Sequence, residues 1–488
     1  MIESKKQDWG VLHFVGIGGI GMSGIAEMCA TLGYDVQGSD AQDGYNIDRL
    51  RKHNIKISIG HASENLETAT GKKIGALIVS SAIKADNPEL IKAKQLNIPV
   101  VPRADMLAEL MRLKRGIAIG GTHGKTTTTS MVGTILEGGG FDPTVINGGI
   151  VNAYGTNARL GAGDYMVVEA DESDGSFIRL PAHIVVITNI DPEHMDHYGS
   201  FDDLQNAFAQ FVQQIPFYGF AMLCTDHPIV QNLMPQIKNR RLITYGLNAQ
   251  ADVRGFNLRP SPLGTQFDVS IASSVTGQST FTISNLFLPM VGEHNVQNAL
   301  AAIGIGLRLG MNEEGLKQSL SSFAGVKRRF TKTGIVEGIT IIDDYGHHPV
   351  EIAAVLKAAR QAVASTHGKV IAVMQPHRYS RLKNLFDDFC GCFSEADSVL
   401  IADVYSAGEL PLEGIDKEHL VAGIKARGHK HVDVLTAPDN LADLIAARAQ
   451  TGDFVICLGA GSITSWANAL PATLAQRLST ADQKSQWV

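Results

Sequence analysis

Short apolar runs recur along the chain, and most of them stop at glycine, an acid or histidine. Val11-Leu-His-Phe-Val15 predicts a buried strand, with a helix over Met22 to Leu32 and a second strand over Val36 to Asp40. Ala76-Leu-Ile-Val79, Ile117-Ala-Ile119, Asp164 to Val168 and Ile184 to Thr188 read as further strands, with a helical pattern at Ser130 to Leu136. Asn147-Gly-Gly149 reads as a turn at a strand end. Residues 250 to 290 alternate weakly around Pro262-Leu-Gly and Thr276-Gly, which predicts a β-hairpin insertion. Ile339 to Ile342, Val370 to Met374, Ser398 to Ile401 and Phe454 to Leu458 are strands again, with helical patterns such as Val350 to Ala364 between them. Strands alternating with helices give an α/β fold with largely parallel sheets.

At 488 residues the chain is too long for one core. The pattern divides it into three domains, 1–105, 106–325 and 326–488. Hydrophobic residues make up 44% and charged ones 19%, an ordinary globular balance. A net charge of −7 excludes a basic nucleic-acid binder. The five cysteines lack the paired spacing of a zinc site, and idle thiols suit the cytoplasm. The first ten residues carry no apolar signal segment, and no apolar run is long enough to span a bilayer, so no membrane insertion is expected.

Two glycine-rich stretches change this picture. The first, Gly16-Ile-Gly18-Gly-Ile-Gly21, follows a strand and opens a helix. That context makes it a Rossmann-like diphosphate-binding turn, with Asp40 placed to accept from a ribose. His61, Ser80 and Ser81 sit where later strands end, which is where ligands of such sheets bind. NAD and a nucleotide-sugar diphosphate both use these features. The second stretch, Gly120-Gly-Thr-His-Gly-Lys-Thr-Thr127, joins the Ile117 strand to the next helix. It is one residue shorter than G-x-x-x-x-G-K-[ST], yet the mechanism is kept. Backbone N–H groups of Gly121, Thr122, His123, Gly124 and Thr127 meet phosphate oxygens, Lys125 reaches the β/γ-phosphates and Thr126 holds Mg²⁺. The central domain is therefore P-loop ATPase-like, with ATP as substrate.

Two more strands end at Glu169-Ala-Asp-Glu-Ser-Asp174 and at Asp191-Pro-Glu-His194-Met-Asp196. Carboxylates with one imidazole suit Mg²⁺ or Mn²⁺ beside a triphosphate. Asn295 and Asn298 share a helical face and could read an adenine edge, or Asn295 could simply cap its helix. In the Rossmann-like third domain, Arg328 and Arg329 bring charge that could neutralise a phosphoryl group. Strand ends there carry Asp344, Tyr345, His347, His377, Arg378 and Arg381, a set suited to a small zwitterion, with Arg378 and Arg381 as a clamp. No nucleophile elbow is present, so placement and charge neutralisation are the expected chemistry.

The chain resembles the Mur ligase family. The resemblance rests on His13-Phe-Val-Gly-Ile-Gly-Gly-Ile-Gly-Met-Ser-Gly24, Gly121-Thr-His-Gly-Lys-Thr126, Glu169-Ala-Asp-Glu-Ser-Asp174, His194-Met-Asp196, Glu293-His-Asn295, Asp343-Asp-Tyr-Gly-His-His-Pro349 and Gln375-Pro-His-Arg-Tyr-Ser-Arg381. These segments span all three domains, and the first and last two look specific for the alanine-adding member. The resemblance implies ATP-dependent joining of L-alanine to the lactyl carboxylate of UDP-N-acetylmuramate through an acyl phosphate, a step of peptidoglycan precursor synthesis. It implies a cytoplasmic enzyme, monomer or dimer, whose partners are small molecules only. Gly18, Gly19, Gly21, Met22, Ser23, Asp40, His61, Ser80, Ser81 and Arg103 would then hold the UDP-sugar, so the first domain would not hold NAD. Lys125, His194, Arg329 and Arg378 would be catalytic. Thr126, Glu169 and His194 would hold metal. Asn295 and Asn298 would touch adenine, Arg329 a phosphate and Asp344 a ribose. Tyr345, His347, His377, Arg378 and Arg381 would form the amino-acid pocket.

One departure bears on regulation. Several Mur ligases carry a carbamylated lysine shortly after the His-Met-Asp segment, whereas Met195 to Ile237 holds no lysine here. Four rivals stand beside this expectation. They are a ligase adding a recycled tripeptide to the same sugar nucleotide, a family member adding a different amino acid, an NAD-dependent oxidoreductase, and a non-catalytic nucleotide-sugar sensor.

Overall fold

The computed structural model describes residues 9–68, 71–80, 82–364 and 367–485. The chain divides into two compact units. The first comprises Met1–Arg254, Ser270–Thr282 and Gln297–Leu320. The second comprises Gly255–Val269, Ile283–Val296 and Ser321–Val488.

The first unit holds two sheets. Strands β1 (Val11–Val15), β2 (Asp35–Asp40), β3 (Lys56–Ile59), β4 (Ile74–Val79) and β5 (Val100–Pro102) run in the order β3-β2-β1-β4-β5. Every pairing among them is parallel. The order reverses beside β1, so the crevice beyond its carboxyl end is the expected ligand position. In the second sheet are β6 (Arg115–Gly120), β7 (Thr144–Val151), β8 (Thr156–Arg159), β9 (Tyr165–Glu169), β10 (Ala182–Ile187), β11 (Phe220–Cys224) and β12 (Arg241–Gly246). Their order is β12-β11-β10-β6-β9-β7-β8, parallel except for the β7–β8 hairpin. The central strands are near-continuous apolar runs, as burial on both faces requires. One apolar cluster runs from Leu12 and Phe14 through Leu107 and Leu110 to Phe177, Phe208 and Phe211.

Asn147–Gly149 is not the expected turn but lies inside β7, whose register shifts between Ile146 and Val151. The glycine has a packing reason. A Cβ on Gly148 would lie 2.5 Å from Glu169 Oε2, so a side chain there would displace the Glu169 carboxylate from the Gly148 N–H it accepts from.

The 250–290 insertion contains three strands rather than one hairpin: β13 (Val253–Ser261), β14 (Gly264–Ile271) and β15 (Phe281–Leu288). In the second unit, β16 (Thr331–Val336), β17 (Ile339–Asp344), β18 (Val370–Met374), β19 (Ser398–Ile401), β20 (Val432–Val434) and β21 (Phe454–Leu458) run β16-β17-β21-β18-β19-β20. Only β16 pairs antiparallel. Its two faces are both covered, because alternate residues of β18 enter different clusters. Val370, Ala372 and Met374 pack with Leu356 and Phe389, while Ile371 and Val373 pack with Leu441 and Leu470. All five cysteines are buried free thiols. No helix among the described residues is long and apolar enough to cross a membrane.

Candidate active site

The phosphate loop leaves the end of β6 and opens the helix Lys125–Gly138. Two of its glycines are required. Gly121 has φ +129° and a Cβ there would lie 2.0 Å from Thr188 Oγ1, while Gly124 has φ +82° and packs against the Asn298 amide. The loop is pinned to the end of β10. The His123 N–H donates to Asn189 Oδ1 at 2.7 Å, Thr188 Oγ1 donates to the His123 carbonyl at 2.6 Å, and the Asp191 N–H donates to Thr122 Oγ1 at 2.8 Å.

Lys125 folds over this loop. Its Nζ donates to the carbonyls of Gly121 and Thr122 at 2.6 and 3.0 Å and to Glu172 Oε1 at 2.9 Å. Burial by itself would lower the lysine's pKa, but Glu172, Glu169 and Asp171 together hold it above the ordinary value. Thr126 and Thr127 are buried at the first turn of the helix.

His194 adopts a left-handed backbone with φ +59° and caps the short helix Met195–Tyr198. A non-glycine residue held there costs roughly 1–3 kcal/mol, which marks a constrained position. Its Nε2 lies 4.0 Å from Glu172 and 3.7 Å from Glu193, and these three side chains offer ligand atoms within 4.8 Å of one another. Glu169 behaves differently: its Oε2 accepts from the Gly148 N–H at 2.8 Å. Two hard carboxylate donors fit Mg²⁺ or Mn²⁺, and the one borderline imidazole is more at home on Mn²⁺.

A cavity of about 350 Å³ brings together Gly19, Gly21 and Met22 of the first glycine loop with Ser80, Arg103, Gly148, Glu169 and Asp171. Arg103 stands 3.6 Å from Asp171, and a Cβ on Gly21 would press on the Arg103 guanidinium. The Gly18 N–H donates to Asp40 Oδ2 at 2.8 Å, which ties the loop to the end of β2. Ser23 is fully buried and its hydroxyl donates to the Ile20 carbonyl. His61 hydrogen-bonds to Ser39. Ser81 lies outside the described residues.

In the second unit a chain of rings gathers at the ends of β17 and β18. Tyr345 meets His347 at 5.1 Å, His347 meets His377 at 5.7 Å, and His377 stacks on Tyr405 at 5.5 Å. Arg328 and Arg329 lie over the Tyr345 ring at 4.6 and 5.2 Å. Arg381 Nη1 sits 3.4 Å from His377 Nδ1, and Arg378 has φ +71°. Burial, then the charges of His347, Arg381 and Arg378, push His377 down to about 4. Both oxygens of Asp344 accept backbone N–H groups, from Phe330 and Gly346 at 2.7 Å each. Asn295 is the third residue of the helix Glu293–Arg308 and does not cap it. Its amide donates to the Val291 carbonyl at 2.8 Å, whereas a cap must accept.

Three family models together match most of the chain: "Mur ligase family, catalytic domain" over 11–115, "Mur ligase middle domain" over 119–306, and "Mur ligase, glutamate ligase domain" over 328–461.

The chain belongs to the Mur ligase family.

It is 59% identical over 465 residues to the UDP-N-acetylmuramate–L-alanine ligase of Bradyrhizobium diazoefficiens, covering 95% of this chain and 98% of that one. The protein of the same name from Rhodopseudomonas palustris strain HaA2 matches at 59%, covering 95% and 97%. The crystal structure of the UDP-N-acetylmuramate-alanine ligase from Thermotoga maritima superposes with a TM-score of 0.77 at 27% identity, over 97% of this chain and all of that one. A murein peptide ligase from Psychrobacter arcticus shares the fold, with a TM-score of 0.66 at 23% identity over 95% and 98%.

Within this Mur ligase, the sequence offered the acidic segments of Glu172 and Glu193 but did not single these two out as ligands. Glu351, which stands 3.6 Å from Arg329 and 3.4 Å from His347, and Tyr405 were missed. Tyr405 had a weak signal, since it follows the end of β19, which pairs with β18.

Proposed function

We propose that this Mur ligase joins L-alanine to the lactyl carboxylate of UDP-N-acetylmuramate at the expense of ATP. A carboxylate oxygen attacks the γ-phosphorus and ADP leaves. The amine of alanine then attacks the acyl phosphate, loses a proton and expels phosphate, leaving an amide. The observation that carries this reading is 59% identity along nearly the whole chain to proteins of that activity's name.

The roles follow the chemistry of each cluster. Backbone N–H groups of Gly121–Thr127 and the helix start take the triphosphate, and Lys125 neutralises it. Thr126, His194 and the carboxylates of Glu169, Glu172 and Glu193 would hold a divalent ion, Mg²⁺ or Mn²⁺, which supplies charge neutralisation at the phosphates. Asn295 and Asn298 serve adenine, Asp344 the ribose and Arg329 a phosphate. Gly18, Gly19, Gly21, Met22, Ser23, Asp40, His61, Ser80, Ser81 and Arg103 serve the UDP-sugar. Tyr345, His347, His377, Arg378 and Arg381 bind alanine, the two arginines taking its carboxylate. The three functional domains are 1–105, 106–325 and 326–488. Buried free cysteines and nucleotide substrates support the reading of a cytoplasmic enzyme, a monomer or dimer acting on small molecules.

The test is phosphate release with ATP, Mg²⁺ and UDP-N-acetylmuramate, with and without L-alanine. Release that needs L-alanine is expected. Release only with L-Ala-γ-D-Glu-meso-diaminopimelate would move the assignment to peptide recycling, and no release with either would sink the ligase reading.

A further inference from the structure

Beneath the carboxyl ends of β1, β2 and β3 lies a buried polar network that the proposed reaction does not use. Its centre is Glu89, fully buried at the start of the helix Pro88–Gln95, where the Asn87 side chain accepts from its N–H. Glu89 Oε2 accepts from Ser39 Oγ at 2.7 Å and stands 3.0 Å from His13 Nε2. Oε1 accepts from Asn65 Nδ2 at 2.7 Å and from the Ala62 N–H at 3.2 Å. Burial would raise this carboxyl's pKa, but the hydrogen bonds from His13, Asn65 and Ser39 more than offset it and hold Glu89 ionised. An ionised carboxylate only accepts, and that orders every proton around it.

Ser39 has one hydroxyl proton and gives it to Glu89. The contact of 3.0 Å between Ser39 Oγ and His61 Nδ1 must then be donated by the imidazole, and Nδ1 also stands 3.5 Å from Glu89 Oε1, which can only accept. Nδ1 of His61 therefore carries a proton, and in the neutral ring Nε2 is an acceptor. The same logic orders His13, whose Nε2 donates to Glu89 while Nδ1 accepts from Gln37 Nε2 at 3.1 Å. The two histidines differ in what they reach. His13 is sealed in, with 1% of its side chain exposed, whereas His61 keeps 22% exposed. His61 follows the end of β3. With a diphosphate on the glycine loop after β1 and a ribose at Asp40 on β2, the base falls toward that end.

We propose that Glu89, directly and through Ser39, fixes the tautomer of His61 so that Nε2 accepts from the imide N–H of a uracil base, giving the first domain a preference for uridine over cytidine nucleotides. Uracil presents a donor at N3 and cytosine an acceptor, so the fixed imidazole attracts one and repels the other. Glu89 and Ser39 are positioning residues, since neither is argued to touch the ligand. The inference rests on the reading that the first domain holds the nucleotide of UDP-N-acetylmuramate.

The test is calorimetric titration of the full chain with UDP and with CDP, together with ¹⁵N spectra of the histidine rings. Wild type is expected to bind UDP at least about tenfold tighter than CDP, with His61 protonated at Nδ1. Ser39→Ala removes the nearer of the two acceptors that face His61 Nδ1, at the cost of one small hydroxyl. It should bring the UDP-to-CDP ratio toward one and return His61 to a tautomer mixture, with ATP affinity kept. Glu89→Gln conserves volume and should do the same by a second route. An unchanged ratio in both variants, or a wild-type His61 protonated at Nε2, overturns the proposal. A wild type that binds neither UDP nor CDP overturns instead the nucleotide-sugar reading beneath it.

Discussion

The phosphate loop and the ring cluster of the second unit both bury a basic nitrogen, and they treat it in opposite ways. Lys125 is surrounded by Glu172, Glu169 and Asp171, which lift its pKa against the cost of burial. His377 has Arg378, Arg381 and His347 for neighbours, and burial and their charge act in the same direction to lower it. Desolvation disfavours the charged form in both places, so the neighbours decide the outcome. The phosphate loop is a compensated site. It keeps its cation in place and lets a polyanion exchange for carboxylates as the partner of Lys125. The ring cluster is compensated less fully: Glu409 opposes the lowering of His377 but is outweighed by burial, His347, Arg381 and Arg378, and that balance of charge suits a substrate carboxylate.

The largest effect that this contrast predicts is at Lys125. Lys125→Ala removes the cation that the carboxylates hold over the loop, and phosphate release should fall by at least about 10²–10³-fold, the cost of losing one transition-state donor. Near-normal turnover in a folded variant would break the assignment of the loop. The next effect concerns the compensating side. Glu172→Gln should raise the divalent-ion concentration needed for half activity by about 10–100-fold, because Glu172 lies beside both Lys125 and His194. If Glu169→Gln shifts that requirement and Glu172→Gln does not, the strand-end acid is the ligand and Glu172 only tethers the lysine.

On the less compensated side, Arg381→Lys keeps the charge but loses the planar fork. The KM for L-alanine should rise about tenfold, ~1.4 kcal/mol, while the KM for ATP stays constant. Equal changes in both constants would deny the arginine a specific role with the amino acid.

How far these sites could be read in advance depended on how local their chemistry is. Gly121, Gly124 and Lys125 lie within five positions, and their spacing encodes the loop conformation directly. The doubly wound sheets were equally legible, because strands buried on both faces are uniformly apolar. Glu172 was harder, since its pairing with Lys125 joins the ends of different strands. Tyr405 was harder still, because it lies past the end of β19, and only the strand order puts β19 beside β18. Asn147–Gly149 misled for a definite reason: glycine marks turns, but it also marks places where a Cβ would crowd a neighbouring side chain, here the Glu169 carboxylate. Of the two readings of Asn295, the capping one fails because its amide donates backwards to the Val291 carbonyl.

The smallest effect is the sharpest on the electrostatics. His377 is held near 4, against 6.5 for an ordinary imidazole. Between those values the unfolded chain binds a proton at this position and the folded chain does not. Its contribution to stability is therefore complete above pH 6.5 and is lost as the pH falls toward 4. Asp344, raised to about 6 chiefly by burial, acts in the opposite direction over part of that window, so the overall slope is a poor readout. Two direct readouts avoid the problem. The His377 ring should titrate near pH 4 by NMR, and Arg381→Gln should move that midpoint upward by removing one of the neighbouring charges. The stability difference between wild type and His377→Gln should also grow in favour of wild type from pH 4 to 6.5 and then level off. A His377 that titrates at its ordinary value, unmoved by loss of Arg381, would mean that the cluster is as well compensated as the phosphate loop, and the contrast between the two regions would fail.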